Sequence, residues 1–178
     1  MIPIYKNPRF WVPIISNAFL ISLLSVFNTQ LSPWNLYLFI PGVFPLFLAF
    51  NRPGASGLVG CILSGFLLDA LFPVPMGLFA TLFAAVHATS LVFAKRLHRE
   101  NIVQFVSIAF ILNLVCWGAV TLFTASSTVW NAQFFAQFFV NLFISQIVIT
   151  PVAWWYFEFQ AACLRLAFGI RIFEEDLT

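Results

Sequence analysis

"GFLLDALFPVPMG", residues 65–77, joins two apolar stretches through a short turn and places one carboxylate just before that turn. Asp69 is the only acidic residue among the first 99 residues, and leucines and a phenylalanine surround it in the sequence. Only the tripeptide "PVP" at 73–75 separates the two stretches. The segment therefore predicts a tight helical hairpin with a carboxylate close to its turn.

The composition predicts whether the chain folds in water or in a lipid bilayer. Of 178 residues, 62% are hydrophobic and only 8% are charged. A soluble domain carries about 25% charged residues, so this chain cannot cover its surface with charge and is expected to be an integral membrane protein. No basic run alternates with exposed aromatic residues, so we expect the lipid bilayer as its surroundings and no nucleic acid as a partner.

Six apolar stretches approach the length of about 20 residues that a membrane-spanning helix needs. They cover about residues 10–28, 34–50, 54–72, 75–94, 102–124 and 133–157. We therefore predict an all-α integral membrane fold with six transmembrane helices in one compact bundle. The whole chain, 1–178, is expected to form a single domain, with a cytoplasmic tail at 158–178.

All Lys and Arg residues fall in alternate connections between these stretches. They are Lys6, Arg9, Arg52, Lys95, Arg96, Arg99, Arg165 and Arg171. Basic loops remain in the cytoplasm, so both termini are predicted to be cytoplasmic. An odd number of helices would break this alternation, which supports six.

The third apolar stretch carries small residues in steps of four, at Gly57, Cys61 and Gly65. Steps of four keep one face of a helix, and small residues allow helix backbones to approach closely in lipid. This face is predicted to be a packing groove. Its occupant is either another helix of the chain or a partner helix, and we predict a partner-helix groove.

Asp69 lies about one turn before the hairpin loop, where an ionised carboxylate must face protein or headgroup water. Free N–H groups at the start of the following helix attract an anion, so Asp69 and the nearby Gly77 are expected to stabilise the hairpin. A proton relay and a partner contact are the alternatives. His87 should lie about 12 Å deeper, at about 1.5 Å per residue, so an Asp–His pair is not expected.

The sixth stretch carries a polar stripe, also in steps of four: Gln133, Gln137, Asn141 and Ser145. Such side chains must find partners inside a helical bundle, and Asn113 in the fifth stretch is a candidate. We favour hydrogen bonds between helices over a solute pocket.

Enzymes that act within membranes carry paired acids, a nucleophile with its base, or metal-ligand spacing. The sequence shows none of these patterns, and Cys61, Cys116 and Cys163 are scattered. We therefore expect a non-enzymatic protein with no catalytic, cofactor-binding or metal-binding residue.

Over about residues 35–100 the chain resembles the MreD family of bacterial rod-shape-determining membrane proteins. The resemblance is carried by Gly65-x-x-x-Asp69 and the following Gly77, after a helix rich in small residues. It implies a scaffold in the bacterial inner (cytoplasmic) membrane that serves cell elongation and lateral peptidoglycan synthesis. The implied partners are MreC and, through it, RodA, a class B penicillin-binding protein and MreB.

The fold of this family is similar to that of the substrate-binding components of energy-coupling-factor vitamin transporters. A substrate-binding membrane component of a vitamin transporter is therefore the alternative function. It would need a polar pocket toward the outside, and Asp69, Gln133 and Gln137 are all predicted near that end.

Overall fold

Six α-helices follow one another in the part of the chain that the structure describes. The computed structural model describes residues 8–51, 54–72, 74–93, 102–125 and 132–168. The helices are α1 (Pro8–Leu31), α2 (Phe44–Asn51), α3 (Ala55–Asp69), α4 (Leu78–Phe93), α5 (Ile102–Ala125) and α6 (Ala132–Phe168). Two single-turn 3-10 helices, Ser32–Trp34 and Pro41–Val43, lie between α1 and α2, and the described residues contain no β-strand.

Three of the helices are long and apolar enough to cross a membrane. Their apolar spans are Phe10–Trp34, Val103–Phe123 and Gln133–Leu166. The other apolar helices are shorter, at Pro41–Phe50, Ala55–Asp69 and Leu78–Leu91. The structure therefore has the all-helical, apolar character that the composition predicts, with three helices of full spanning length.

The second predicted helix, 34–50, differs most from expectation, because residues 36–40 are not helical. Pro41 begins a 3-10 turn, and Pro45 lies in the first turn of α2. Proline is tolerated where a helix begins, but farther inside it removes a hydrogen bond and clashes with the preceding turn. The two prolines therefore confine the α-helix to Phe44–Asn51.

This short α2 lies at the centre of the hydrophobic core. Every residue from 39 to 49 is buried, and Phe44, Leu46 and Phe47 have no exposed surface. Helix α2 packs against α3 and α4, and the preceding 3-10 turn packs against α5. Because α2 is surrounded, it is apolar on all sides rather than on one stripe.

Most of the residues on which the predicted orientation depends lie outside the described residues. These are Lys6, Arg52, Lys95, Arg96, Arg99 and Arg171. Helix α6 continues to Phe168, so the first part of the predicted tail, 158–168, extends the last helix.

Candidate functional site

The Asp69 carboxylate binds the start of α4. Its Oδ2 accepts hydrogen bonds from the backbone N–H of Gly77 at 2.9 Å and of Ala80 at 3.4 Å, and its Oδ1 accepts from Phe79 at 2.8 Å. The first N–H groups of a helix have no partner within the helix, and the helix dipole favours an anion there. The side chain is only 4% exposed. The predicted hydrogen bonds between Asp69 and the start of the fourth helix are confirmed.

Gly77 gives the turn the shape that this contact needs. Its φ is +97°, in the left-handed region that glycine adopts without strain. No atom within 4 Å would obstruct a side chain at this position, so the backbone conformation rather than space favours glycine. Gly77 therefore directs its own N–H toward Asp69.

The small-residue face of α3 packs against helices of the same chain at two positions. A Cβ on Gly65 would lie 2.4 Å from Cα of Ala80 in α4. Cys61 is fully buried and its thiol donates to the carbonyl of Pro45 at 3.6 Å, and Gly57 is buried as well. The structure corrects the assignment of Gly65 and Cys61 to a partner helix, because α4 and α2 of the same chain occupy these two positions. Gly57 is buried, and its place in a partner-helix groove stays a prediction.

The polar stripe of α6 binds backbone groups of the non-helical connection. The Nε2 of Gln137 donates to the carbonyl of Asn35, the Oδ1 of Asn141 accepts from Tyr37 N–H at 3.2 Å, and the Oγ of Ser145 accepts from Phe39 N–H at 3.0 Å. Four residues of helix rise about 6 Å, and two residues of extended chain rise about 6.6 Å. Side chains four residues apart on α6 are therefore spaced like every second residue of the connection. We call this connection the tethered segment (residues 35–42).

The other side of the tethered segment is held by two asparagines that the sequence did not single out for this role. Asn28 in α1 donates to the carbonyl of Leu38 at 2.9 Å and accepts from its N–H at 2.8 Å. Asn113 in α5 donates to the carbonyl of Phe39 at 2.9 Å and accepts from Gly42 N–H at 3.3 Å. The segment thus resembles a strand whose neighbours are side-chain amides from three helices.

These contacts change the interpretation of the polar stripe. We expected helix-to-helix hydrogen bonds, but the two stripe amides Gln137 and Asn141 bind backbone instead. The exposed Gln133 has no hydrogen-bond partner among the described residues. Away from water, an unpaired backbone group costs several kcal/mol, about as much as a lost hydrogen bond. The stripe is therefore needed because prolines prevent the segment from bonding to itself as a helix.

Gly42 fixes the close approach of the tethered segment to α5. A Cβ there would lie 2.6 Å from the carbonyl oxygen of Ala109 and 2.6 Å from the nitrogen of Asn113. Both atoms belong to the backbone of a helix and cannot rotate away. The sequence analysis missed this position, although a glycine within the proline-rich "PGVFP" at 41–45 signals a backbone constraint.

A second polar cluster ties four helices together. The fully buried Asn17 donates to the carbonyl of Phe44 at 3.1 Å and to Oγ of Ser64 at 2.7 Å. Its Oδ1 accepts from the hydroxyl of Tyr156 at 2.5 Å and from Nε2 of Gln160 at 3.2 Å. The cluster joins α1, α2, α3 and α6, and its arrangement is structural.

His87 does not meet Asp69. Its Nε2 lies 3.1 Å from the carbonyl oxygen of Gly54, at the start of α3, whereas Asp69 binds the start of α4. Among the described residues, no three His, Cys, Asp or Glu side chains come together as metal ligands would.

Two cavities flank the tethered segment. The larger, about 700 Å³, lies between the second half of α1, the end of α3 and the segment, and its polar lining includes Ser25 and Thr29. The smaller, about 320 Å³, lies between α5, α6 and the segment. Tyr37, Phe72 and Gln137 line both and form the wall between them.

Comparison of the chain with known protein families, with characterised proteins and with solved structures gives no match.

Proposed function

We propose that this protein is a non-enzymatic scaffold of the bacterial cell-elongation machinery, similar to MreD. The supporting observation is that the three residues behind the resemblance act together in one contact. Gly65 brings α3 against the backbone of α4, Asp69 binds the first N–H groups of α4, and Gly77 shapes the turn between them. The motif is therefore a physical unit within this chain and not a chance spacing.

A scaffold role also agrees with how the chain uses its polar side chains. Asn17, Asn28, Asn113 and Ser145 all bind the chain's own groups inside the bundle. The outward faces of the long helices are apolar, with Phe19, Leu114 and Phe143 well exposed. Such a protein would act on neighbours through contacts within the membrane.

We also place six crossings in the bacterial cytoplasmic membrane, with both termini in the cytoplasm. The second crossing would combine residues 36–40, the 3-10 turn and α2, which together reach about 34 Å when the segment is extended. That exceeds the roughly 30 Å of the hydrocarbon core. The shorter α3 and α4 would be accommodated by local thinning of the bilayer.

Depletion of the protein in its native host tests the proposed role. We expect rod-shaped cells to become round, and expression of the wild-type chain to restore the rods. Rods that persist after depletion, together with a new vitamin requirement, would overturn the scaffold proposal in favour of transport.

The proposed partner is MreC and, through it, RodA, a class B penicillin-binding protein and MreB. A photo-crosslinking residue at one exposed position of each of four helices tests this: Phe19, Leu63, Leu114 or Phe143. At least one position should capture MreC in the native membrane, whereas the fully buried Leu46 should capture none. Failure of all four exposed positions would reject MreC as a direct partner.

The second candidate is a substrate-binding component of a vitamin transporter, and the two cavities favour it. Their volumes, about 700 Å³ and 320 Å³, lie within or near the range of small-molecule sites, about 300–1,000 Å³. A vitamin that co-purifies with the protein and is identified by mass spectrometry would place this candidate first.

A further inference from the structure

The turn of the α3–α4 hairpin carries no polar side chain. Residues 70–77, "ALFPVPMG", are all apolar, whereas the other two connections without Lys or Arg contain serine and asparagine, in "SPWN" at 32–35 and "SSTVWN" at 126–131. The turn also exposes large apolar side chains, because Met76 is 72% exposed and Leu71 is 49% exposed. Connections that meet water are rich in polar residues, so this composition indicates that 70–77 has other surroundings.

The hairpin ends below the end of α1. Asn17 of α1 donates to Oγ of Ser64 in α3 at 2.7 Å, so these two residues lie at the same depth, and the later residues of both helices line the larger cavity. From there α1 continues to Leu31 and α3 only to Asp69, about 21 Å against about 8 Å at 1.5 Å per residue. One further turn of about 5 Å still leaves the tip of the hairpin about 8 Å short of the end of α1.

The N–H groups of the turn do not depend on water. In the described residues 70–72 and 74–81, every N–H group except that of Met76 donates to an acceptor within the hairpin. The buried Asp69 carboxylate alone accepts three of them, and Pro75 has no N–H group. Within a bilayer, non-helical backbone is tolerated only where protein groups replace its hydrogen bonds with water. The donors of this turn meet that condition.

We propose that the turn of the α3–α4 hairpin lies in the hydrocarbon of the outer leaflet, where lipid acyl chains cover Leu71 and Met76. The hairpin reaches the outer leaflet and turns beneath its headgroups. This inference rests on the membrane placement proposed above and adds that the thinning over α3 and α4 stops before water reaches the turn. The tip is then a lipid-binding surface, out of reach of water-soluble partners outside the cell.

Three positions of nearly equal exposure in the protein test where water ends. They are Met76 at 72%, Trp34 at 70% and Phe143, on α6, at 68%. Each is changed to cysteine in the full chain carrying Cys163→Ala, reconstituted in lipid nanodiscs, which leave both membrane faces open, and treated with a water-soluble maleimide. The parent chain with Cys163→Ala gives the background from the buried Cys61 and Cys116.

Maleimides react with the thiolate, which is disfavoured in apolar surroundings. Phe143→Cys should therefore react at least about tenfold more slowly than Trp34→Cys. Met76→Cys should react as slowly as Phe143→Cys in nanodiscs, and as fast as Trp34→Cys once the chain is unfolded in detergent. Reaction of Met76→Cys as fast as that of Trp34→Cys in nanodiscs would overturn the inference. Fast reaction of Phe143→Cys would overturn the membrane placement itself, and the inference with it.

A nitroxide on the same cysteines, attached in detergent before reconstitution, identifies what covers the turn. Oxygen concentrates in hydrocarbon and a neutral nickel chelate in water. The nitroxide on Met76→Cys should collide mainly with oxygen, and that on Trp34→Cys mainly with nickel. Few collisions of the Met76→Cys nitroxide with either would mean that protein, such as a second copy of the chain, covers the turn, and would overturn the assignment to lipid. Neither measurement depends on cell shape after depletion, so the inference and the scaffold role can fail separately.

Discussion

The α3–α4 hairpin and the tethered segment both have backbone groups that need hydrogen-bond partners inside the bundle, but they obtain those partners in different ways. In the hairpin, α3 and α4 pair most of their backbone groups within each helix. Only the N–H groups at the start of α4 need another acceptor, and the Asp69 carboxylate provides it. In the tethered segment, residues 35–42 have little bonding of their own and borrow partners from α1, α5 and α6. One carboxylate suffices in the first region, whereas five side chains serve the second.

The difference shows what an irregular backbone requires inside an apolar bundle. Helices satisfy their backbone groups locally, and non-helical chain is tolerated there only when other protein groups replace those bonds. The amides and hydroxyl around the tethered segment are therefore explained by the prolines that interrupt the helix. Polar side chains within apolar helices are often interpreted as solute-binding groups, but here they form hydrogen bonds with the backbone of the tethered segment.

Replacing the closely packed glycines should change the free energy of unfolding more than any other substitution in the two regions. Gly65→Ala and Gly42→Ala place a Cβ within 2.6 Å of helix backbone atoms, so each should lower the free energy of unfolding by about 3 kcal/mol. Gly118→Ala, at an open position of α5, should raise it by about 0.5–1 kcal/mol. Thermal denaturation in detergent measures all three. If Gly65→Ala behaved like Gly118→Ala, the close packing of the hairpin would be wrong.

The next largest effect should come from Asn113→Leu. The substitution keeps the branched shape of the side chain but leaves the Phe39 carbonyl and the Gly42 N–H without partners, at a cost of about 2–3 kcal/mol. Gln133→Leu, at the exposed end of the stripe, is the control and should change stability by less than about 0.5 kcal/mol. Equal stability of the two variants would show that the tethered segment does not need its amides.

Asp69→Asn tests the hairpin in the same way, and its effect should be smaller. One amide oxygen can still accept from a backbone N–H, but the new NH₂ group faces another donor, so we expect a loss of about 2 kcal/mol. Hydrogen exchange at the N–H groups of Gly77 and Phe79 should become faster, while exchange at Phe39 should stay unchanged. Faster exchange at Phe39 would mean that the two regions unfold together.

Asn141→Leu should have the smallest effect. It removes one hydrogen bond, to Tyr37 N–H, at a partly exposed position, so the expected loss is about 1 kcal/mol. Hydrogen exchange at Tyr37 should become about fivefold faster. Asn141→Asp keeps an acceptor oxygen, and its Tyr37 N–H should exchange as slowly as in the wild type.

The sequence alone determined the features that depend on local chemistry. Apolar composition predicted a helical membrane-type chain, and "PVP" after Asp69 predicted both the hairpin and the carboxylate at the start of its second helix. These follow because a helix satisfies its own backbone and leaves only its ends to be capped. The spacing of the α6 stripe also predicted that its side chains share one face, and Gln137, Asn141 and Ser145 all bind the tethered segment.

Only the tertiary structure decided which groups those faces meet. Gly65 and Cys61 of α3 meet α4 and α2 rather than a partner, and the α6 stripe meets backbone rather than other amides. Residues such as Gly42, Asn28 and Asn113 lie far apart in the sequence and gain their roles by meeting around one non-helical segment. A periodic pattern gives the direction of a side chain, but the partner depends on how distant helices pack, which no local pattern contains.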